Sequence, residues 1–351
     1  MDDLGSPLVT RVAVLGGTGA IGGRFVEVVA GQDRAEVEVL VHRWWHTARV
    51  LRYAVGLHDA PPLDDGTEPE AFAAVLAGCD AAVSFVDGPG VRASTAAALV
   101  IGCARAGVPR LVHLGALRPS DAGGPVAARP DEAGARREAF EQALVAAGAE
   151  AGVEVTVVAA PLVYGPFTRE GAIHLRDQVE RGRVAVARGS GPCHLIYVDD
   201  VVEAVWAAAS GPPRSSGRIP VSGPGPITWV ELFEAFGQVV GRPAVAVLPD
   251  DELDALAAIE SGARAEVRWP ARPGTAHRLL RAVDRRTLRR AAPLPARRRL
   301  VVPSAAELAP RRAHLDVPLG RAAAELGWAP VVGFDEGMRR TEAYLRWADP
   351  R

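Results

Sequence analysis

A run of apolar residues, Val12-Ala13-Val14-Leu15, leads directly into Gly16-Gly17-Thr18-Gly19-Ala20-Ile21-Gly22, and apolar residues at helical spacing begin at Ile21. No other feature restricts the chain so much. A strand that turns through glycines straight into a helix presents backbone N–H groups at the helix start, where the helix dipole favours negative charge. Gly16 permits the tight turn, Gly19 lets backbone approach a ligand, and Gly22 lets helix and strand pack closely. Glycines at this spacing are a weak signal alone, but the strand before and the helix after them mark a dinucleotide pyrophosphate turn. The expected contacts are Gly16, Thr18, Gly19, Ala20, Ile21 and Gly22; a turn with a purely structural role is the alternative.

The same rhythm continues. Strands are expected at Arg11 to Leu15, Glu36 to Val41, Ala81 to Val86, Leu111 to Leu114 and Val153 to Ala159. Helices are expected at Ile21 to Ala30, Pro69 to Leu76, Ser94 to Ala106 and Asp131 to Ala147. Alternation of this kind gives an α/β fold with a doubly wound parallel sheet, because right-handed crossovers place helices on both faces. After Pro166 the pattern loosens, with Pro-rich breaks at Pro212-Pro213, Pro220 to Pro226 and Pro293 to Pro303. We therefore expect a nucleotide domain over 1–165, to which the chain returns around 190–222, and a smaller substrate lobe formed mainly by 166–351.

The second strand ends in Val41-His42-Arg43, 21 residues past Gly22. A carboxylate there would bond a ribose 2'-hydroxyl and repel a 2'-phosphate, whereas a guanidinium can grip a phosphate with two hydrogen bonds. The expected cofactor is NADPH, with Arg43 as the phosphate clamp and Arg24 as a helper; a solvated loop arginine is the alternative. Trp44-Trp45 follows directly and reads either as packing or as an adenine-stacking or interface element.

Among 351 residues there is no lysine and no asparagine, so all 40 basic residues are arginine. A lysine-based proton relay is therefore excluded. Together with abundant Ala, Gly and Pro, this composition also reads as the mark of a GC-rich coding sequence. The 40 basic residues nearly balance 42 acidic ones, which gives no reason to expect nucleic acid or an anionic membrane as partner. Eight arginines between Arg281 and Arg299 read as a solvated face or a lid near an anionic ligand rather than a nucleic-acid patch. The acidic start, Met1-Asp2-Asp3, is unlike a signal peptide and no apolar run reaches membrane-spanning length, so a cytoplasmic location is expected. Cys79, Cys103 and Cys193 have no metal-ligand spacing and read as buried small hydrophobes; no metal is expected.

Several further segments, in order, carry a resemblance. They are Leu111-Val112-His113-Leu114, Pro161-Leu162-Val163-Tyr164-Gly165-Pro166, Gly189-Ser190-Gly191, Ile196-Tyr197-Val198-Asp199-Asp200-Val201, Ile227-Thr228-Trp229-Val230-Glu231-Leu232 and Glu325-Leu326-Gly327-Trp328. With the glycine turn they resemble the extended and atypical short-chain dehydrogenases/reductases, including the NAD-dependent epimerase/dehydratase group, over nearly the whole chain. The resemblance implies cofactor contacts at Val86, Asp87, Leu114, Arg137, Pro161 and Leu162. It also implies a Ser or Thr after the fifth strand and a Tyr-x-x-x-Lys on the next helix. Here the three positions read Ala116, Ala133 and Arg137 when the helix is aligned on Glu141.

Loss of a general acid costs about 10² to 10⁴ in rate but leaves binding and hydride transfer intact. The activity implied is NADPH-dependent reduction of a carbonyl on a hydroxylated aromatic polyketide, resembling the angucyclinone-type ketoreductases of antibiotic biosynthesis, with a substrate phenol supplying the hydrogen bond. The alternatives are a non-catalytic NADP(H)-binding sensor and a sugar-nucleotide epimerase or dehydratase. Ser94 and Tyr164 are the candidate catalytic hydroxyls, with Thr95 beside Ser94; an N-cap role for Ser94 and packing for Tyr164 are the alternatives. His113 reads as a core histidine, and His194 stays undecided. The oligomeric state stays open.

Overall fold

In the computed structural model, residues 9–87, 91–122, 132–212, 216–260 and 300–348 are described. Among them the chain divides into two compact units, one of residues 1–173, 194–226 and 314–351 and the other of 174–193 and 227–313.

The first unit is built on a seven-stranded, all-parallel sheet. Its strands are β1 (Arg11–Leu15), β2 (Glu36–Val41), β3 (Val55–Asp59), β4 (Ala81–Ser84), β5 (Arg110–Ala116), β6 (Glu154–Ala160) and β10 (Gly217–Pro220), in the order β10-β6-β5-β4-β1-β2-β3. Between β6 and β10 in sequence, β7 (Leu162–Tyr164) and β9 (Leu195–Tyr197) pair with each other. Central strands buried on both faces read as continuous apolar runs, and β1 shows why. Val12 and Val14 enter one core with Phe25, Val26, Val29, Val201 and Val205, while Ala13 and Leu15 enter the other with Phe72, Leu76, Leu99, Phe140 and Leu144. Helices α1 (Ala20–Gly31) and α6 (Val198–Ser210) therefore cover the first face. The second is covered by α2 (Pro69–Leu76), α3 (Ala93–Ala106) and α4 (Glu132–Ala151).

The five expected strands and four expected helices are all present, with ends shifted by a few residues. Two strands of the seven-stranded sheet escaped the sequence reading, and they are its two edges. Strand β3 (Val-Gly-Leu-His-Asp) pairs only with β2 and is half-exposed, so it lacks the apolar run. Strand β10 (Gly-Arg-Ile-Pro) pairs only with β6 and ends in a proline, a residue tolerated at sheet edges.

The second unit surrounds a three-stranded parallel sheet with β8 (Arg183–Ala187) between β11 (Val245–Leu248) and β12 (Leu300–Val301). Its helices are α5 (Leu175–Arg181), α7 (Trp229–Val240), α8 (Asp250–Glu260) and α9 (Ala305–Arg312). Reciprocal capping boxes open α7, through Thr228 and Glu231, and α9, through Ser304 and Glu307. Ala185, Ala187, Leu253, Ala257 and Leu308 form one cluster of its core.

The expected lobe over 166–351 is corrected at its end. Helices α10 (Gly320–Leu326) and α11 (Phe334–Ala348) belong to the first unit. The cause is Asp200, 1% exposed near the start of α6. Its carboxylate accepts the N–H groups of Val331 (3.2 Å) and Val332 (3.0 Å), and its carbonyl accepts the Trp328 indole N–H (3.1 Å). The arginine-rich stretch Arg281 to Arg299 lies outside the described residues.

Candidate functional site

The glycine turn has the geometry its sequence implies. Gly16 sits at φ +79°, and a Cβ there would press on the Phe85 backbone at 3.1 Å. A Cβ on Gly22 would collide with the Gly16 carbonyl, so the helix approaches the turn only because that side chain is missing. Gly19 caps α1 in an extended conformation with no side chain bonded to the helix start, and the first turn holds no acid. Exposed Gly19 and partly exposed Thr18, Ala20 and Ile21 thus surround uncapped amides, a cradle for a pyrophosphate. These residues fit a dinucleotide.

Strand order sets the rest of the site. β1 lies between β4 and β2, so crossovers leave it in both directions, and ligands in such sheets bind outside the carboxyl ends at that point. Registers Leu15↔Ser84, Ser84↔His113 and Leu114↔Val158 bring Gly16, Val86, Asp87, Leu114 and Pro161 to this one edge, with Leu162 next along the chain. Arg137, on α4, donates from Nε to Asp87 Oδ1 at 3.0 Å, with both side chains about half exposed. Arg137 therefore stands beside the segment that leaves β4, within reach of this edge.

Just past β2, Arg43 is exposed and its guanidinium has no hydrogen bond or ion pair among the described residues. Arg24 is different, which corrects its expected helper role. It donates to both carboxylate oxygens of Asp199, at 2.7 and 3.2 Å, and to Glu27 at 3.2 Å, and these bonds raise its pKa. Arg49 and Arg52 also converge on Glu27, whose side chain is 5% exposed. Burial opposes the Glu27 charge, but Arg49, Arg24 and Arg52 overcome it and hold the carboxyl at about 2. Trp44 opens a short 3-10 helix (Trp44–Arg49), is 47% exposed, and donates its indole N–H to Asp59 Oδ1 at 2.7 Å.

The hydroxyl candidates disperse. Arg92, not Ser94, is the N-cap of α3, and the Ser94 hydroxyl bonds Asp65 at 2.5 Å, while buried Thr95 donates to the Asp64 carbonyl at 3.3 Å. Tyr164 is 2% exposed, packs edge-on against Tyr197 and beside Phe334, and has its hydroxyl against Gly337. Burial pushes its pKa up. His113 is a core histidine: it is 3% exposed, its Nδ1 lies 3.1 Å from Ser84 Oγ, and burial lowers its pKa to about 4. His194 contacts the Leu315 carbonyl at 2.9 Å. All three cysteines are buried and free, and burial pushes Cys79 up to about 11 and Cys103 to about 12. Among the described residues no His, Cys, Asp and Glu group could hold a metal, and no helix is long and apolar enough to cross a membrane.

The sequence reading missed the charge cluster under Ala116. Buried Glu141 accepts the Ala116 N–H at 3.3 Å and is bound by both Arg118 and Arg218. Arg218 also donates to the Ala116 carbonyl at 2.7 Å and bonds Asp121. The backbone where a catalytic hydroxyl would stand is thus held at both its polar groups by charged side chains. No local pattern announces it, because its members lie up to 102 residues apart.

Comparison with known proteins bears on the whole arrangement. The sequence model of the NAD dependent epimerase/dehydratase family matches residues 12–219. The chain belongs to that family. No curated protein matches it. Solved structures share the epimerase/dehydratase fold at low identity. A nucleoside-diphosphate-sugar epimerase from Pseudomonas aeruginosa is 15% identical with a TM-score of 0.67, covering 97% of this chain and 98% of that one. DesIV, a dTDP-glucose 4,6-dehydratase from Streptomyces venezuelae with NAD and TYD bound, is 18% identical with a TM-score of 0.63, covering 96% and 97%. UDP-glucose 4-epimerase from Thermotoga maritima, with UDP-glucose, is 17% identical with a TM-score of 0.63, covering 97% and 99%.

Proposed function

We propose that this epimerase/dehydratase family member binds NADP(H) at the carboxyl edge of its seven-stranded sheet and exchanges hydride with a ligand that brings its own proton partner. The dinucleotide supplies the hydride chemistry when bound; the chain supplies binding and orientation. The uncapped turn from Gly16 to Gly22 holds the pyrophosphate and Arg43 the 2'-phosphate. Val86, Leu114, Pro161 and Leu162 line the nicotinamide side, and Arg137, held against Asp87, takes a ribose hydroxyl. The observation that carries this reading is the contrast between a complete phosphate turn and a proton-transfer position occupied by Ala116, Ala133 and Arg137.

For the substrate, the fold neighbours favour a nucleotide sugar, since the proteins of this architecture named above are nucleotide-sugar epimerases and dehydratases. A second reading rests on the missing phenol and ammonium. It is reduction of a hydroxylated aromatic polyketide ketone of the angucyclinone type, whose own phenol stabilises the developing alkoxide. Purified protein is titrated with NADPH and NADH, then incubated with UDP-glucose, dTDP-glucose and a panel of phenolic ketones and quinones while NADPH absorbance and sugar products are followed. NADPH consumption confined to phenolic ketones selects the second reading. Conversion of a nucleotide sugar selects the first. Cofactor retained without turnover identifies a sensor, and failure to bind either dinucleotide overturns the proposal.

A further inference from the structure

The ion cluster at the carboxyl end of β5 closes on itself. Glu141 Oε1 accepts the Ala116 N–H at 3.3 Å, and Oε2 is shared by the Arg118 and Arg218 guanidinium groups. Arg218 returns to the Ala116 carbonyl at 2.7 Å and grips both Asp121 oxygens at 2.9 and 2.7 Å, while Asp121 Oδ2 accepts the Arg118 N–H at 2.8 Å. The circuit thus begins and ends on one short backbone segment. Glu141 is 3% exposed, and the two arginine side chains are 19% exposed each. The carboxylate comes this close only because residue 115 is glycine, since a Cβ there would stand 2.5 Å from Glu141 Oε1. Beyond the circuit, the Leu117 N–H bonds the Ala160 carbonyl at 2.7 Å, next to Pro161, and Arg321 of α10 donates to the Arg218 carbonyl at 2.7 Å.

Stability does not account for such an arrangement. Charges removed from water regain in mutual attraction about what they lose in hydration, so apolar side chains of similar volume serve a core equally well. What paired charges add is a single geometry, because a guanidinium fork satisfies only one placement of its acceptors. The segment fixed in this way carries Leu114 and is bonded to the residue before Pro161, and both residues belong to the nicotinamide side proposed above. The glycine turn and Arg43 lie on other elements.

We propose that Glu141 is a positioning residue for the nicotinamide side. Through Arg118 and Arg218 it fixes the end of β5, and so governs how the nicotinamide half of a dinucleotide is held while taking no part in holding the adenosine half. This rests on the dinucleotide reading above, and the two halves of the ligand separate by fragment.

The test titrates the full chain with NADPH, NADH and 2',5'-ADP, comparing wild type with Glu141→Gln, Gly115→Ala and Leu144→Val. Glu141→Gln removes the charge that both arginines share, whereas Gly115→Ala displaces the carboxylate and leaves every charge in place. Each is expected to weaken NADPH and NADH by one common factor of about threefold to tenfold, the net contribution of one hydrogen bond, with 2',5'-ADP unchanged. Emission from the reduced nicotinamide of bound NADPH, read at saturation, is expected to move toward that of the free cofactor in both variants. Leu144→Val removes buried volume on the same helix; it is expected to lower thermal stability and to leave all three affinities and the emission at wild-type values. Equal weakening of NADPH and 2',5'-ADP by Glu141→Gln shows that the circuit supports the fold alone, which overturns the proposal and leaves the dinucleotide reading standing. Unchanged NADPH affinity and emission in Glu141→Gln and Gly115→Ala overturn it in the same way. Wild type that binds neither dinucleotide overturns both readings. Circular dichroism verifies each variant, and Gly115→Ala carries the test if Glu141→Gln does not fold.

Discussion

His113 and Arg43 show how one side chain's surroundings decide its use. Buried against Ser84, His113 has a pKa of about 4 in the folded chain against an ordinary value near 6.5, so between these pH values the unfolded chain binds the extra proton. Stability should therefore be complete above pH 6.5 and decline as pH falls toward 4. Denaturant unfolding of wild type and His113→Leu at pH 7.5 and 5 checks this, with the variant showing the smaller drop. Arg43 is the opposite case, an exposed cation with no partner among the described residues. Arg43→Ala should reduce NADPH affinity by about 1–3 kcal/mol, on the scale of a lost charge-assisted hydrogen bond, and leave NADH affinity unchanged. Paired titrations measure it, and equal losses for both dinucleotides would remove the 2'-phosphate role.

At the scale of elements, the turn from β1 into α1 and the support under α1 are separate devices. Gly22→Ala places a methyl group on the Gly16 carbonyl, so helix and turn must part; the expected cost is about 1–3 kcal/mol in stability with loss of dinucleotide binding. Thermal unfolding and NADPH titration on the same sample report both effects. Glu27 stabilises α1 from beneath by gathering Arg24, Arg49 and Arg52, and Arg49 also reaches the Ala20 carbonyl at 2.9 Å. Glu27→Gln removes the shared anion from three guanidinium groups and should cost about 2–4 kcal/mol. Its depressed pKa adds a sign: this stabilisation is present above about pH 4.5 and is lost as pH falls through about 2. Acid unfolding curves of wild type and variant should converge below that pH.

For the molecule as a whole, the position of the closing segment is the informative case. Residues 314–348 fell within the 166–351 stretch expected to form mainly the second lobe, yet they fold with the first unit, where Asp200 holds Val331 and Val332. Asp200→Ala leaves the Val331 and Val332 N–H groups without their acceptor, and for the buried Val332 donor this costs about 1–3 kcal/mol. Hydrogen exchange should accelerate in 320–348 more than in β8 and α7, and equal acceleration in the two units would show that Asp200 does not anchor this segment. The glycine turn, the central strands and their helices were legible in the chain because each is a local pattern of spaced residues. The edge strands β3 and β10 were not, since half-exposed residues carry no apolar run.

The sequence by itself determined the glycine turn, the parallel sheet and the absence of a tyrosine–lysine pair, because glycine spacing, apolar periodicity and residue identity are properties of neighbours along the chain. Only the tertiary structure decided which arginine past β2 is without a partner among the described residues and which are committed to carboxylates. It alone also brought Arg137 to Asp87, enclosed Tyr164 and anchored the closing helices to Asp200. Those outcomes depend on which distant side chains the fold brings within bonding distance, and no local pattern encodes that.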